Sequence, residues 1–175
     1  MSEITFTPLQ DKHFSLLLRW LELPHVKEWW DQDAKWTMKL IEEKYGNYVK
    51  GFKKFVLKDR VIEKPIHAFI ACVDEKEIGY IQYFNAYDFS CEQKYKFDKL
   101  PKSLASFDIF IGEVNYIGKG IGTKLISKFL LEYVEQYFKN IVVCPDTLNT
   151  SAIKAYEKVG FNTIDRVLNS TVMLR

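Results

Sequence analysis

Apolar and polar positions change period several times along this chain, and each change marks an element. Ile4 to Thr7 alternates as a strand does, and Pro8 ends it. From Asp11, a helix-capping residue type, apolar residues recur at helical spacing: Phe14, Leu17, Leu18 and Leu21 share one face, and Pro24 closes the run. His25 to Trp30 follows neither period. A second helical pattern carries Trp36, Leu40, Ile41, Tyr45, Tyr48, Val49 and Phe52. Residues 53–65 are basic and read as irregular. His67 to Val73 is an apolar strand, Asp74-Glu75-Lys76 a turn, and Glu77 to Phe84 the returning strand, with Gly79 as a candidate bulge. Past a polar, aromatic connection at 86–105, Phe107 to Ile111 reads as a strand. A long amphipathic helix then aligns Ile121, Leu125, Ile126, Phe129, Leu130 and Val134. Asn140 to Cys144 is a strand and Asn149 to Val159 a helix, with Gly160 as its left-handed C-cap. Short strands near Phe161–Val167 and Thr171–Leu174 finish the order β-α-α-β-β-β-α-β-α-β-β. That order predicts a mixed α/β (α+β) layer architecture in a single domain spanning 1–175.

The stretch that draws the chemistry is Asn115-Tyr116-Ile117-Gly118-Lys119-Gly120-Ile121-Gly122-Thr123, set between strand and helix. Such a junction binds phosphate: first-turn N–H groups have no intrahelical partner, and the helix dipole adds partial positive charge. Glycines let the backbone approach an anion, and Lys119 adds a full charge. The order G-x-G-x-G is not the dinucleotide fingerprint G-x-G-x-x-G. Nor is it a P-loop, because Thr123-Lys124 reverses the Lys-Ser/Thr pair. On these residues alone, a plain glycine-rich turn stays open beside a phosphate loop.

Composition narrows the classes. At 175 residues with 47% hydrophobic and 27% charged content the chain is of ordinary globular make-up, and a net charge of +2 gives no nucleic-acid signal. No apolar run of about 18 residues predicts a membrane span, and Met1-Ser2-Glu3-Ile4 lacks the start of a signal peptide. Cys72, Cys91 and Cys144 are odd in number and widely spaced, which suits a reducing cytoplasm and no metal site. Expected partners are therefore a small molecule, with no nucleic acid and no membrane, in a monomer or homodimer.

A second marker lies downstream. Asn149-Thr150-Ser151-Ala152-Ile153-Lys154-Ala155-Tyr156-Glu157-Lys158-Val159-Gly160-Phe161 resembles the N-x-x-A-x-x-x-Y-x-K-x-G-F signature of the GCN5-related N-acetyltransferases, the GNAT family. Gly120 and Gly122 fill the glycine positions of that family's pyrophosphate loop, and Ile117 stands where it often has Gln or Arg. Trp20-Leu21-x-x-Pro24-His25-Val26-x-x-Trp29-Trp30, Ile78-Gly79-Tyr80-x-Gln82 and Asp108-Ile109-Phe110-Ile111-Gly112-Glu113 resemble the aminoglycoside 6′-N-acetyltransferases within it. Siderophore-pathway N-acyltransferases share part of the N-terminal pattern.

The resemblance implies the GNAT fold: a mixed, mostly antiparallel sheet with a central V-shaped splay and helices on both faces. It implies acetyl-CoA as cofactor and acetyl transfer to a primary amine, here the 6′-amine of an aminoglycoside. The pantetheine arm would pair with the backbone of Ile109 and Ile111. The pyrophosphate would sit on Ile117, Gly118, Lys119, Gly120, Ile121, Gly122 and Thr123, and Asn149 would bond the arm. Asp108 matches the catalytic aspartate, acting as base or as anchor for the ammonium. Tyr156 matches the tyrosine that points at the cofactor sulfur, a candidate proton donor to the departing thiolate, since a phenol's pKa of ~10 is close to a thiol's. Trp30 matches an aromatic wall of the acceptor site, with Asp31 and Asp88 (and Glu28 and Asp33) as further acids.

The residues alone leave alternatives. Asp108 is the single charge in an apolar strand, which suits catalysis or a solvent-facing strand mouth. Tyr156 could be core and Asn149 a helix N-cap. Trp29 and Trp30 could be a core pair. Two departures bear on the substrate: Cys144 stands where resistance enzymes have a drug-binding aspartate, and the 86–105 connection carries Lys94, Lys96, Lys99 and Lys102. A siderophore or amino-acid N-acyltransferase and a non-catalytic acyl-CoA-binding module are the alternative functions.

Overall fold

The computed structural model describes residues 2–56, 59–92 and 96–175. Lys94 falls outside these, and of Cys91 only the backbone is described. Strands β1 (Ile4–Pro8), β4 (His67–Val73), β5 (Lys76–Asn85), β6 (Leu104–Ile111), β7 (Asn140–Val143), β8 (Asn162–Val167) and β9 (Ser170–Leu174) form a seven-stranded sheet in the order β1-β4-β5-β6-β7-β9-β8. A separate ribbon pairs β2 (Phe52–Val56) with β3 (Val61–Pro65). Helices are α1 (Phe14–Leu21), α2 (Pro24–Lys27), α3 (Met38–Val49), α4 (Ile121–Phe129) and α5 (Thr150–Lys158). The mixed α/β architecture with a mostly antiparallel sheet agrees with the expectation. The chain packs as two compact units, one of residues 1–82 and 109–115, the other of 83–108 and 116–175. No helix among the described residues is long and apolar enough to cross a membrane.

In the first unit, β1 pairs antiparallel with β4, and α1 and α3 are packed together. The buried stripe of α1 is Phe14, Leu17, Trp20 and Leu21. Three local readings change here. Asp11 does not cap α1: it opens a 3-10 turn, Asp11–His13, whose own cap is Gln10. Pro24 does not stop a helix but starts α2, occupying a first-turn position where its missing N–H costs nothing. Within the basic stretch 53–65, read as irregular chain, residues 53–56 (with Phe52) and 61–65 pair antiparallel as β2 and β3. Its faint alternation follows from its surroundings, since one face stays exposed and offers no run of buried residues to read.

Gly79 proves to be a site of close backbone approach. A Cβ there would land on the carbonyl oxygen of Phe110, which is backbone and cannot swing aside. Gly79→Ala is expected to lower stability by about 2 kcal/mol or more, as overpacking against fixed atoms does. Denaturant unfolding checks it, and a cost below about 0.5 kcal/mol would show that β5 and β6 can separate there freely.

In the second unit, α4 continues into a π turn, Leu130–Val134, so the long helix of the sequence pattern is real but not uniform. Leu125, Ile126, Phe129, Leu130 and Val134 are all buried. The connection from Ala86 is tied down by the Tyr87 hydroxyl, which lies 3.0 to 3.3 Å from the carbonyl oxygens of Phe97, Leu100 and Pro101. Ala86, Phe97, Leu104, Val142 and Val172 form a buried cluster against which Cys144 packs.

Candidate functional site

Strand β6 lies parallel to β7 with Leu104 opposite Asn140, Ala105 opposite Ile141 and Ser106 opposite Val142. The register ends there, although Phe107 and Asp108 prolong β6 and Val143 completes β7. The strands part at the point where Asp108 and Cys144 occur. Tyr156 reaches the same place from α5, its ring edge-on to Phe107 at 5.6 Å and tilted against Phe161 at 5.7 Å.

The electrostatics tie the three groups together. Burial pushes the Cys144 thiol up to about 11, and the charge of Asp108 adds to the shift. Burial drives the Tyr156 phenol well above its ordinary range, with Asp108 and then Cys144 contributing. Both groups are therefore neutral at physiological pH, and Cys144 is no ready nucleophile, because thiolate is the reactive form. The raised thiol has a consequence for stability. Between pH 9.0 and about 11 the unfolded thiol ionises while the folded one keeps its proton, so stability falls as pH rises through that window. Cys144→Ala should show a shallower loss of Tm over this range in thermal melts. Identical slopes for both proteins would place the thiol in water.

The glycine loop leads into α4. Gly118 and Gly120 both have φ of +74°, a left-handed conformation that L side chains rarely adopt. Gly120 is the N-cap of α4 and contributes no side-chain bond. Ile117 through Gly120, Lys119 included, are exposed, and Ile121, Gly122 and Thr123 are half-buried. Nothing packs within 4 Å of where a Cβ would stand at Gly118 or Gly120. The loop thus offers open backbone, a helix N-terminus and a lysine, a donor set that fits a pyrophosphate. Asn149 caps α5, its Oδ1 accepting from the Ala152 N–H at 3.1 Å, which leaves its Nδ2 for a ligand. Asp88 is half-buried in the 3-10 segment Ala86–Glu92, and Lys96, Lys99 and Lys102 are exposed.

The first unit holds the other expected residues. Trp30 is half-buried, edge-on to Phe110 at 4.9 Å and to Tyr80 at 5.9 Å. Trp29 is exposed, so the two tryptophans are not a core pair. Glu28 and Asp33 are exposed, and Asp31 is held by Lys44 at 2.8 Å. Ile109 and Ile111 are half-buried in β6.

Sequence reasoning missed the fixings around Ile111. The His25 Nε2–H donates to the Ile111 carbonyl at 3.1 Å, claiming one acceptor of the strand expected to pair with pantetheine. The Gly112 and Glu113 N–H groups share the Ile78 carbonyl. Glu113 accepts from the fully buried Trp20 indole at 2.9 Å and pairs with Arg19, which together hold its carboxyl below the usual range. A Cβ at Gly112 would strike the Trp20 ring. The signal was available: Trp20 falls at i+3 from Leu17, on the apolar stripe of α1.

Residues 10–168 match the family described as Acetyltransferase (GNAT) domain. The chain belongs to the GNAT acetyltransferases. Family membership makes acetyl-CoA the acyl donor, and the loop at 117–123 has the chemistry to receive it. Among solved structures, this GNAT chain is similar to the aminoglycoside acetyltransferase AAC(6')-Ib in complex with coenzyme A, at 22% identity. That match covers 99% of this chain and 94% of the other, with a TM-score of 0.78. The same enzyme with ribostamycin and coenzyme A matches at 22% identity over 99% and 93%, TM-score 0.80. An aminoglycoside N(6')-acetyltransferase from Legionella pneumophila matches at 23% identity over 98% and 90%, TM-score 0.66. At these identities the likeness shows that the GNAT chain shares the fold.

Proposed function

We propose that this protein transfers the acetyl group of acetyl-CoA to a primary amine, of the kind borne at the 6′ position of an aminoglycoside, in a ternary complex. The observation that carries the reading is the grouping of Asp108, Tyr156 and Cys144 where β6 parts from β7. Bound acetyl-CoA supplies an activated acyl group on a thiol that leaves readily. The backbone N–H groups of Gly118 to Thr123, with Lys119, hold its pyrophosphate, and Asn149 with the backbone of Ile109 and Ile111 holds its arm. Asp108 takes the proton from the acceptor ammonium, since only the free amine has a lone pair. Tyr156 retains its proton throughout the physiological range and directs a hydrogen bond at the leaving sulfur. Its raised affinity for that proton makes full transfer to a thiolate of ordinary pKa near 8.5 uphill, so the phenol stabilises charge more than it gives up a proton. Trp30 offers a face to a cationic acceptor, and Asp31 and Asp88 are the further acids.

Thiol release from acetyl-CoA in the presence of kanamycin, tobramycin, spermidine, amino acids and hydroxylamines tests this. Turnover with the amino sugars and none with amino acids is the expected result. A second reading, an N-acyltransferase of siderophore or amino-acid metabolism, is favoured by one observation: Cys144 is neutral, so Asp108 has no second carboxylate beside it at that position. Turnover confined to amino acids or hydroxylamines would establish that reading instead.

A further inference from the structure

The acid Asp31 already holds an ammonium, and that ammonium belongs to the protein. Lys44 Nζ lies 2.8 Å from the Asp31 carboxylate, 5.1 Å from the centre of the Trp36 ring and 5.3 Å from that of Tyr45. A carboxylate and two aromatic faces around one nitrogen is the arrangement by which proteins recognise alkylammonium ions. The walls are fixed. Tyr45 is fully buried on α3, its ring 5.9 Å from that of Trp36, and the Trp36 backbone N–H donates to the Glu22 carboxylate at 2.9 Å. Asp31 is turned toward Lys44 from a left-handed backbone, φ +46°, a conformation aspartate tolerates better than most residues.

The box is not sealed. The Lys44 and Asp31 side chains retain 29% and 36% of their exposure. Trp36 and Lys44 also line an open cavity of about 450 Å³, bounded further by Leu40, Asn47 and Tyr48. The other charged groups on its wall are Glu43, which pairs with Lys39, Lys54, which pairs with Glu63, and Lys53. With Lys44 in place the Asp31 carboxylate is already matched by a cation.

We propose that Asp31, Trp36 and Tyr45 form an ammonium subsite, that Lys44 occupies it as a tethered cation, and that a polycationic acceptor binds there only by displacing Lys44. Lys44 is thus a specificity-determining residue that disfavours polyamines relative to monoamines. The inference rests on the amine-acceptor reading above, and its test separates the two.

Lys44→Met keeps the half-buried stem and removes the charge. Spermidine binding, measured by calorimetry, should strengthen about tenfold in Lys44→Met, the order expected for one exposed acid and two ring faces. Asp31→Asn in the same background should remove the gain. In turnover, the ratio of kcat/KM for kanamycin over that for 6-amino-6-deoxyglucose, which has a single ammonium, should rise about tenfold in Lys44→Met. Equal spermidine affinity in wild type and Lys44→Met overturns the subsite, as does a gain that survives Asp31→Asn. A gain in binding with no amine turned over sustains the subsite and defeats the acetyl-acceptor reading.

Discussion

Asp108→Asn lowers kcat/KM for the amine acceptor by on the order of 10² to 10⁴ at neutral pH, the usual worth of a positioned base. The substitution keeps size and planarity and removes the charge. Activity recovers in part at high pH, where free amine is present without help. If Asp108 only anchors the ammonium, KM rises and the deficit does not close with pH. A second readout is independent of turnover. The Asp108 charge helps raise the Cys144 thiol to about 11, so the thiol should ionise at lower pH in Asp108→Asn, followed by thiolate absorbance. An unmoved thiol titration with unchanged turnover would remove Asp108 from the site altogether.

Gly120→Asp abolishes cofactor binding while leaving the fold nearly as stable. No atom lies within 4 Å of the added Cβ, so the substitution meets only the left-handed φ of +74°. That conformation costs roughly 1 kcal/mol for aspartate, with no capping gain to set against it, because side-chain capping needs an extended backbone at the cap. The new carboxylate then stands in front of the α4 N-terminus and repels a pyrophosphate. Coenzyme A at a hundred times its Kd stabilises the wild type by about 2.7 kcal/mol, and Gly120→Asp should show none of it in thermal shift. Gly120→Asn, of the same shape without charge, should keep a part. A wild-type shift in the aspartate variant would move the cofactor away from this loop.

The contrast between what the chain disclosed in sequence and what it withheld follows from the range of the forces involved. The stripes of α1 and α4 and the Ile41, Tyr45 and Tyr48 positions of α3 were readable because burial repeats with the helix, whereas Leu40, read on the same stripe, is exposed, and Trp36 and Phe52 lie outside α3. Gly118, Gly120 and Gly160 were readable because positive φ selects glycine. Pro24 misled because the same residue ends one helix or begins the next, and only the downstream N–H bonds decide. The β2–β3 ribbon stayed hidden because little of it is buried. The neighbourhood of Asp108, Cys144 and Tyr156 depends on the parallel register of β6 with β7, which no local pattern encodes, so it came only through resemblance to a family. The pairing of Asp31 with Lys44 joins a loop to a helix thirteen residues on, and the His25 bond to Ile111 spans 86 residues. Neither leaves a trace in periodicity.

The π turn at Leu130–Val134 carries a different message, about length. The Glu135 N–H reaches back five residues to the Leu130 carbonyl, so this turn houses one residue more than an α-helix needs. The surplus sits outward, where Leu131 is 66% exposed and Glu132 is exposed as well. Removing either would tighten the turn to α and bring Val134 from four places after Leu130 to three, still on the buried face. The same deletion within Leu125–Phe129 would rotate every later apolar residue away from the core. The chain can therefore lose a residue at this turn and keep its helix, and homologues one residue shorter are expected to differ here.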